Sequence, residues 1–143
     1  MKQIDFENQT DIEIEITNLE KILSTLSPKI VELIIVDNDT IASINSQHRE
    51  KNQPTDVLSF PLEDVGEMGM LGSIVISIDK AIEKSNELNH SLEDEVTLLF
   101  IHALLHLLGY DHEVDSGQMR EAEKELIERF NLPSSLIIRT VKE

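Results

Sequence analysis

The spacing of apolar positions changes several times along this chain, and each change marks an element. Residues 30–36 are apolar apart from Glu32, the pattern of a strand buried on at least one face. Residues 71–77 read as a second core strand. A strand over 55–60 is bracketed by Pro54 and Pro61; proline has no amide hydrogen to give a ladder, so this strand belongs at a sheet edge. Residues 2–6 begin a further strand, and Asp11-Ile-Glu-Ile-Glu-Ile alternates acid with isoleucine, the period of a half-exposed strand. Helical spacing predicts a helix over 18–26, capped by Asn18 and stopped by Ser27-Pro28. Another runs over 38–47, with Ile41 and Ile44 inward and Arg49 just past its end. Residues 78–88 form an amphipathic helix, and 116–130 a charged one whose Glu, Lys and Arg side chains are most simply a solvated face. Residues 63–71 are loop, either a flap over a cleft or an ordinary hairpin connection, and Leu136-Ile-Ile in the tail could pack back on the body.

One helix differs from the rest. Ser91-Leu-Glu-Asp94 resembles a capping box, and beyond Val96 the helix it opens is apolar nearly all round, as in a buried central helix. Only His102 and His106 interrupt the run 98–108. A lone histidine in such a helix is most often a core residue with one hydrogen-bond partner. Burying two unpaired imidazoles, however, would cost about 1–3 kcal/mol each, and a metal removes that cost. Residues four apart share a helix face with Cβ atoms roughly 5–6 Å apart, so the two rings can converge on one ion with Zn–N bonds of about 2.0–2.1 Å. Gly109 tolerates the left-handed conformation that ends a helix, and the turn Tyr110-Asp111 can return His112 as a third ligand. Three protein ligands with a fourth position open is the arrangement of a catalytic zinc site.

The spacing H-x-x-x-H-x-x-G-x-x-H also matches metzincin proteases, which carry their general base as a Glu directly after the first histidine. Here that position is Ala103. A peptidase, or another metal-dependent hydrolase, therefore becomes the alternative rather than the leading candidate, together with a non-catalytic assembly factor whose zinc is structural.

Composition narrows the setting. A chain of 143 residues suits a single domain with one core. It has no cysteine, which excludes disulfides and thiolate-bound zinc, and only four Phe and one Tyr, so the core must be built from Ile, Leu and Val. No signal peptide or membrane span is apparent, and a cytoplasmic location is expected. The net charge of −16 opposes simple nucleic-acid binding, because phosphate contacts usually come from a basic surface. The opposition eases if the charge is unevenly placed: Glu121, Glu123, Glu125 and Glu128 crowd the late helix, whereas Arg49 and Lys51 lie near the motifs.

Two further segments, Asn45-Ser-Gln-His-Arg49 running into Pro54-Thr-Asp-Val-Leu-Ser-Phe-Pro61, and Leu71-Gly-Ser-Ile-Val-Ile-Ser77, accompany the histidine motif. Together they resemble the YbeY family of bacterial endoribonucleases over residues 33–125. The resemblance implies an α+β domain spanning 1–143, with a small mixed β-sheet packed against about five helices and a buried central metal-bearing helix. It implies one Zn2+ per chain on His102, His106 and His112, and a functional arginine at Arg49. It further implies cleavage of single-stranded RNA in rRNA processing (16S rRNA 3′ end maturation) and ribosome quality control. The partners would be rRNA, the small ribosomal subunit and its assembly proteins, with neither membrane nor DNA. Two positions depart from the family pattern: Ser73 stands where an acidic residue is common and Ala103 where glycine is common. The role for Arg49 is to hold the scissile phosphate, since a planar guanidinium matches phosphate and stays charged.

Overall fold

Four strands, β1 (Ile4–Asn8), β2 (Ile30–Val36), β3 (Val57–Pro61) and β4 (Met70–Ser77), form one sheet in the order β1-β2-β4-β3. The computed structural model describes residues 3–49, 55–61, 69–110 and 117–132. β1, β2 and β4 are parallel, and β3 runs antiparallel to β4 at the edge, where its flanking prolines place it. Among the described residues there are five helices: α1 (Thr17–Leu26), α2 (Asn38–Arg49), α3 (Ile78–Leu88), α4 (Leu92–Leu107) and α5 (Gln118–Arg129). The architecture is the mixed-sheet α+β arrangement expected.

Strand alternation divides the core in two. Val31, Leu33 and Ile35 of β2 and Ile74 and Ile76 of β4 pack with Leu19, Ile22 and Leu23 of α1 and with Phe100 and Leu104 of α4. The opposite parity, Ile34, Val36, Val75 and Leu58, meets Ile41 and Ile44 of α2. Thus α4 lies on one face of the sheet and α2 on the other. Between 95 and 105 every residue of α4 is buried except His102, which is half-buried. Each fully buried Leu, Ile or Phe contributes about 1.5–3 kcal/mol relative to exposure, so α4 is the most firmly anchored helix of the fold.

Several boundaries differ from the sequence pattern, for local reasons. Residues 11–16 are not a strand. The Asn8 side chain accepts a hydrogen bond from the Thr10 amide (2.9 Å) and donates one to the Ile12 carbonyl (2.7 Å), turning the chain out of the sheet. Ile14 and Ile16 then pack against the main core as partly buried residues. Helix α1 begins at Thr17 with Ile16 at its cap, so Asn18 lies inside the first turn and caps nothing. Helix α2 runs on to include Arg49. Its start is held by Asp37, whose carboxylate accepts from the Thr40 amide at 2.8 Å; hydrogen bonds from the Thr40 side chain and backbone keep that carboxyl below the ordinary aspartate range. The loop reading of 63–71 falls mostly outside the described residues, as does the tail.

Candidate functional site

Helix α4 is fixed at both ends. Ser91 accepts a hydrogen bond from the Asp94 amide (3.1 Å), and Glu93, Asp94 and Glu95 place negative charge at the positive end of the helix dipole. At the other end Gly109 has φ +105°, while the Tyr110 amide bonds the Leu105 carbonyl (2.9 Å) and the Gly109 amide bonds that of His106 (3.0 Å). Two carbonyls of the last turn are satisfied in this way, the glycine-ended motif that reverses a chain sharply.

The reversal has a chemical consequence. It brings the Tyr110 carbonyl to 3.1 Å from Nδ1 of His106. A carbonyl only accepts, so this contact requires the proton on Nδ1 and leaves the ring lone pair on Nε2. One turn earlier, Nδ1 of His102 lies 3.3 Å from Oε1 of Glu123 on α5. A carboxylate oxygen likewise accepts from a ring N–H, and this contact favours the same tautomer. The two rings are neighbours, 4.8 Å apart at their centroids and 81° between planes. Two imidazoles on one helix face, each engaged through Nδ1, are donors of the kind that could hold a divalent metal such as zinc: neutral rings that bind through one nitrogen while the other is hydrogen-bonded.

Of the sequence-predicted site residues, the structure thus brings His102 and His106 together. His112, the third expected ligand, lies outside the described residues, as do Asp111 and Glu113. Arg49 closes α2. Among the described residues no group of three or more His, Cys, Asp or Glu is placed to hold a metal. Ala103, where a metzincin would carry its base, is 1% exposed and packed in the main core. A carboxylate there would be buried rather than presented to water.

The β3–β4 pair leaves no room for a side chain at position 72. Gly72 sits at φ +152°, and a β-carbon on it would lie 2.3 Å from the Phe60 carbonyl oxygen and 2.9 Å from Cδ2 of Leu107. Only glycine lets β3, β4 and the last turn of α4 meet at this point. Beside it, Ser73 donates a hydrogen bond to Glu32 at 2.7 Å across the β2–β4 pair. An acid at position 73 would face that carboxylate directly, which accounts for the serine.

Two carboxylates escape the sequence reading. Glu123, taken there as part of a solvated face, has its side chain 4% exposed. The signal was present: with Met119, Leu126 and Ile127 it falls on the buried stripe of α5. Glu95, 0% exposed, pairs with His90 at 2.7 Å, and the His90 side chain is 2% exposed. A cavity of about 750 Å³ between Tyr110 and the outer face of α5 is rimmed by Glu121, Glu125 and Glu128 against a single Lys124, a lining of net negative charge that disfavours phosphate.

Fold and site together define a small α+β protein that presents histidines from a buried helix at the edge of a mixed sheet. The profile of the family described as Endoribonuclease YbeY matches residues 2–131. A protein of Campylobacter jejuni strain RM1221 bearing that name is 60% identical over 125 residues, 87% of this chain and 93% of its own. One of the same name from Aliarcobacter butzleri strain RM4018 is 57% identical over 137 residues, 95% of this chain and 98% of its own. A Thermotoga maritima protein solved in solution has a similar fold, with a TM-score of 0.64 at 28% identity, over 97% of this chain and 92% of that one. The chain belongs to the YbeY family.

Proposed function

We propose that this protein is a zinc-dependent endoribonuclease that cuts single-stranded RNA during ribosomal RNA maturation. RNA cleavage is the reaction that family membership brings, with relatives named Endoribonuclease YbeY along nearly the whole chain. The observation that carries the metal assignment is the matched pair of Nδ1 contacts, His102 to Glu123 and His106 to the Tyr110 carbonyl. Both favour rings that bind through Nε2. One Zn2+ would be held by these two histidines and His112. When bound, zinc supplies Lewis acidity that activates water near neutral pH and polarises a phosphoryl oxygen.

The protein's own groups do the rest. The histidines hold the ion, and Arg49 grips the scissile phosphate through its planar fork. Among the described residues β3 is an outer strand of the sheet, a wall along which an extended strand can lie. Ala103 supplies no base, which weighs against peptide hydrolysis. The 16S rRNA 3′ end, the small ribosomal subunit and its assembly proteins are the substrate and partners of this role, in the cytoplasm. No helix of the described residues is long and apolar enough to cross a membrane. The net charge of −16 implies weak, salt-sensitive affinity for free RNA, with docking on an assembled partner supplying the rest.

The test combines metal content with cleavage. Wild-type protein purified without added metal should carry about one zinc per chain and cut single-stranded RNA in a chelator-sensitive way. A His102→Ala/His106→Ala variant should lose both. Equal zinc content in the two proteins, or cleavage indifferent to chelator, would refute the proposal.

A further inference from the structure

We infer that Glu123 is a positioning residue that sets the tautomer and ring orientation of His102 for metal binding. The inference rests on the proposed metal site and deepens it. Glu123 sits on the buried stripe of α5, its side chain 4% exposed, with Oε1 3.3 Å from Nδ1 of His102. A buried carboxylate costs free energy unless something in the fold uses it. Here it accepts the Nδ1 proton, which puts the lone pair of His102 on Nε2. Nδ1 of His106 is served by the Tyr110 carbonyl, a backbone group of its own helix end. The two expected ligands are therefore prepared by independent means, one local and one borrowed from another helix. Outer partners of metal-bound histidines typically affect metal affinity by about 10- to 100-fold.

His106 provides an internal control. In metal-free protein, ¹⁵N shifts of the neutral imidazoles should show His102 and His106 both protonated on Nδ1. In Glu123→Leu, which fills the buried position with apolar volume, His102 should shift towards the Nε2-protonated form while His106 keeps its tautomer. Zinc affinity, measured by competition with a chromophoric chelator, should fall about 10- to 100-fold. Glu123→Gln keeps an acceptor oxygen at the same reach and should restore most of both signals. Thermal melts identify any variant that does not fold; Glu123→Gln, closest in shape, then carries the comparison, with a smaller loss of affinity expected. A His102 tautomer and a zinc affinity unchanged in a folded Glu123→Leu would overturn the inference and leave the metal site standing. Failure of wild-type protein to bind zinc would overturn the metal site, and this inference with it.

Discussion

Gly72→Ala tests how the site is assembled. The new β-carbon would lie 2.3 Å from the Phe60 carbonyl oxygen, 2.9 Å from Leu107 Cδ2 and 3.0 Å from Pro61 Cα. The Leu107 methyl can rotate aside. The Phe60 and Pro61 atoms belong to the β3 backbone, paired in register with Ser73 and Gly72, and move only if β3 is levered away from β4. Three terms set the cost. Overpacking a closed site costs about 1–3 kcal/mol, and holding alanine at φ +152° about another 1–3 kcal/mol. The stiffer unfolded chain returns about 0.4–1 kcal/mol. The net is about 3 kcal/mol, and at about 2–4 °C per kcal/mol for a domain slightly larger than this one, the melting temperature should fall by about 6–12 °C.

Gly109→Ala separates the two destabilising terms. Gly109 also has positive φ, +105°, but a β-carbon there meets nothing within 4 Å among the described residues. It should lose only the conformational part, about 1 kcal/mol. Melting curves followed by circular dichroism give both numbers. RNA cleavage by folded Gly72→Ala should also drop, because α4, which carries His106, packs on the β3–β4 pair that the new β-carbon levers apart. Equal melting temperatures for the two variants would refute the claim that close approach of β3, β4 and α4 requires glycine at position 72.

Two more outcomes follow from named groups. Arg49→Ala should lower RNA cleavage strongly with zinc content and melting temperature unchanged, and Arg49→Lys should recover only part, since an ammonium does not make the bidentate contact; a fully active Ala variant would remove Arg49 from the reaction. His90→Ala removes the partner 2.7 Å from buried Glu95 and should cost about 1–3 kcal/mol in urea denaturation, whereas His90→Ala/Glu95→Leu should regain part of it; equal stability of the two would show that the pair does not act as a buried unit.

The parts of the fold legible in sequence are those set by neighbours along the chain. β2 and α3 fall where their periodicity puts them, β3 takes the edge its prolines demand, and Ser91 and Gly109 bound α4. Residues 11–16 mislead because alternation records which side chains face inward, and Ile14 and Ile16 do face the core. Alternation is silent on whether a sheet edge is within reach, and the Asn8 turn carries the chain away from it. Asn18 misleads differently: a good capping residue is common inside a first turn, and the start of α1 is decided by the packing of Leu19, Ile22 and Leu23.

The candidate site divides along the same line. His102, His106 and Gly109 are read from one helical repeat and its terminator, and the Tyr110 carbonyl reaches His106 as a by-product of that terminator. Glu123 is different, because it comes back to His102 from 21 residues away, and only the docking of α5 brings it there. That docking depends on Met119, Leu126 and Ile127, buried positions that sequence assigns to the apolar stripe without saying which partner they meet. The support of His106 therefore forms with α4 itself, while the support of His102 forms only when α5 packs. Loosening α5 would remove the Glu123 contact of one ring and leave the Tyr110 contact of the other, so the arrangement of the candidate site is tied to the tertiary packing of a helix that contributes none of its expected metal ligands.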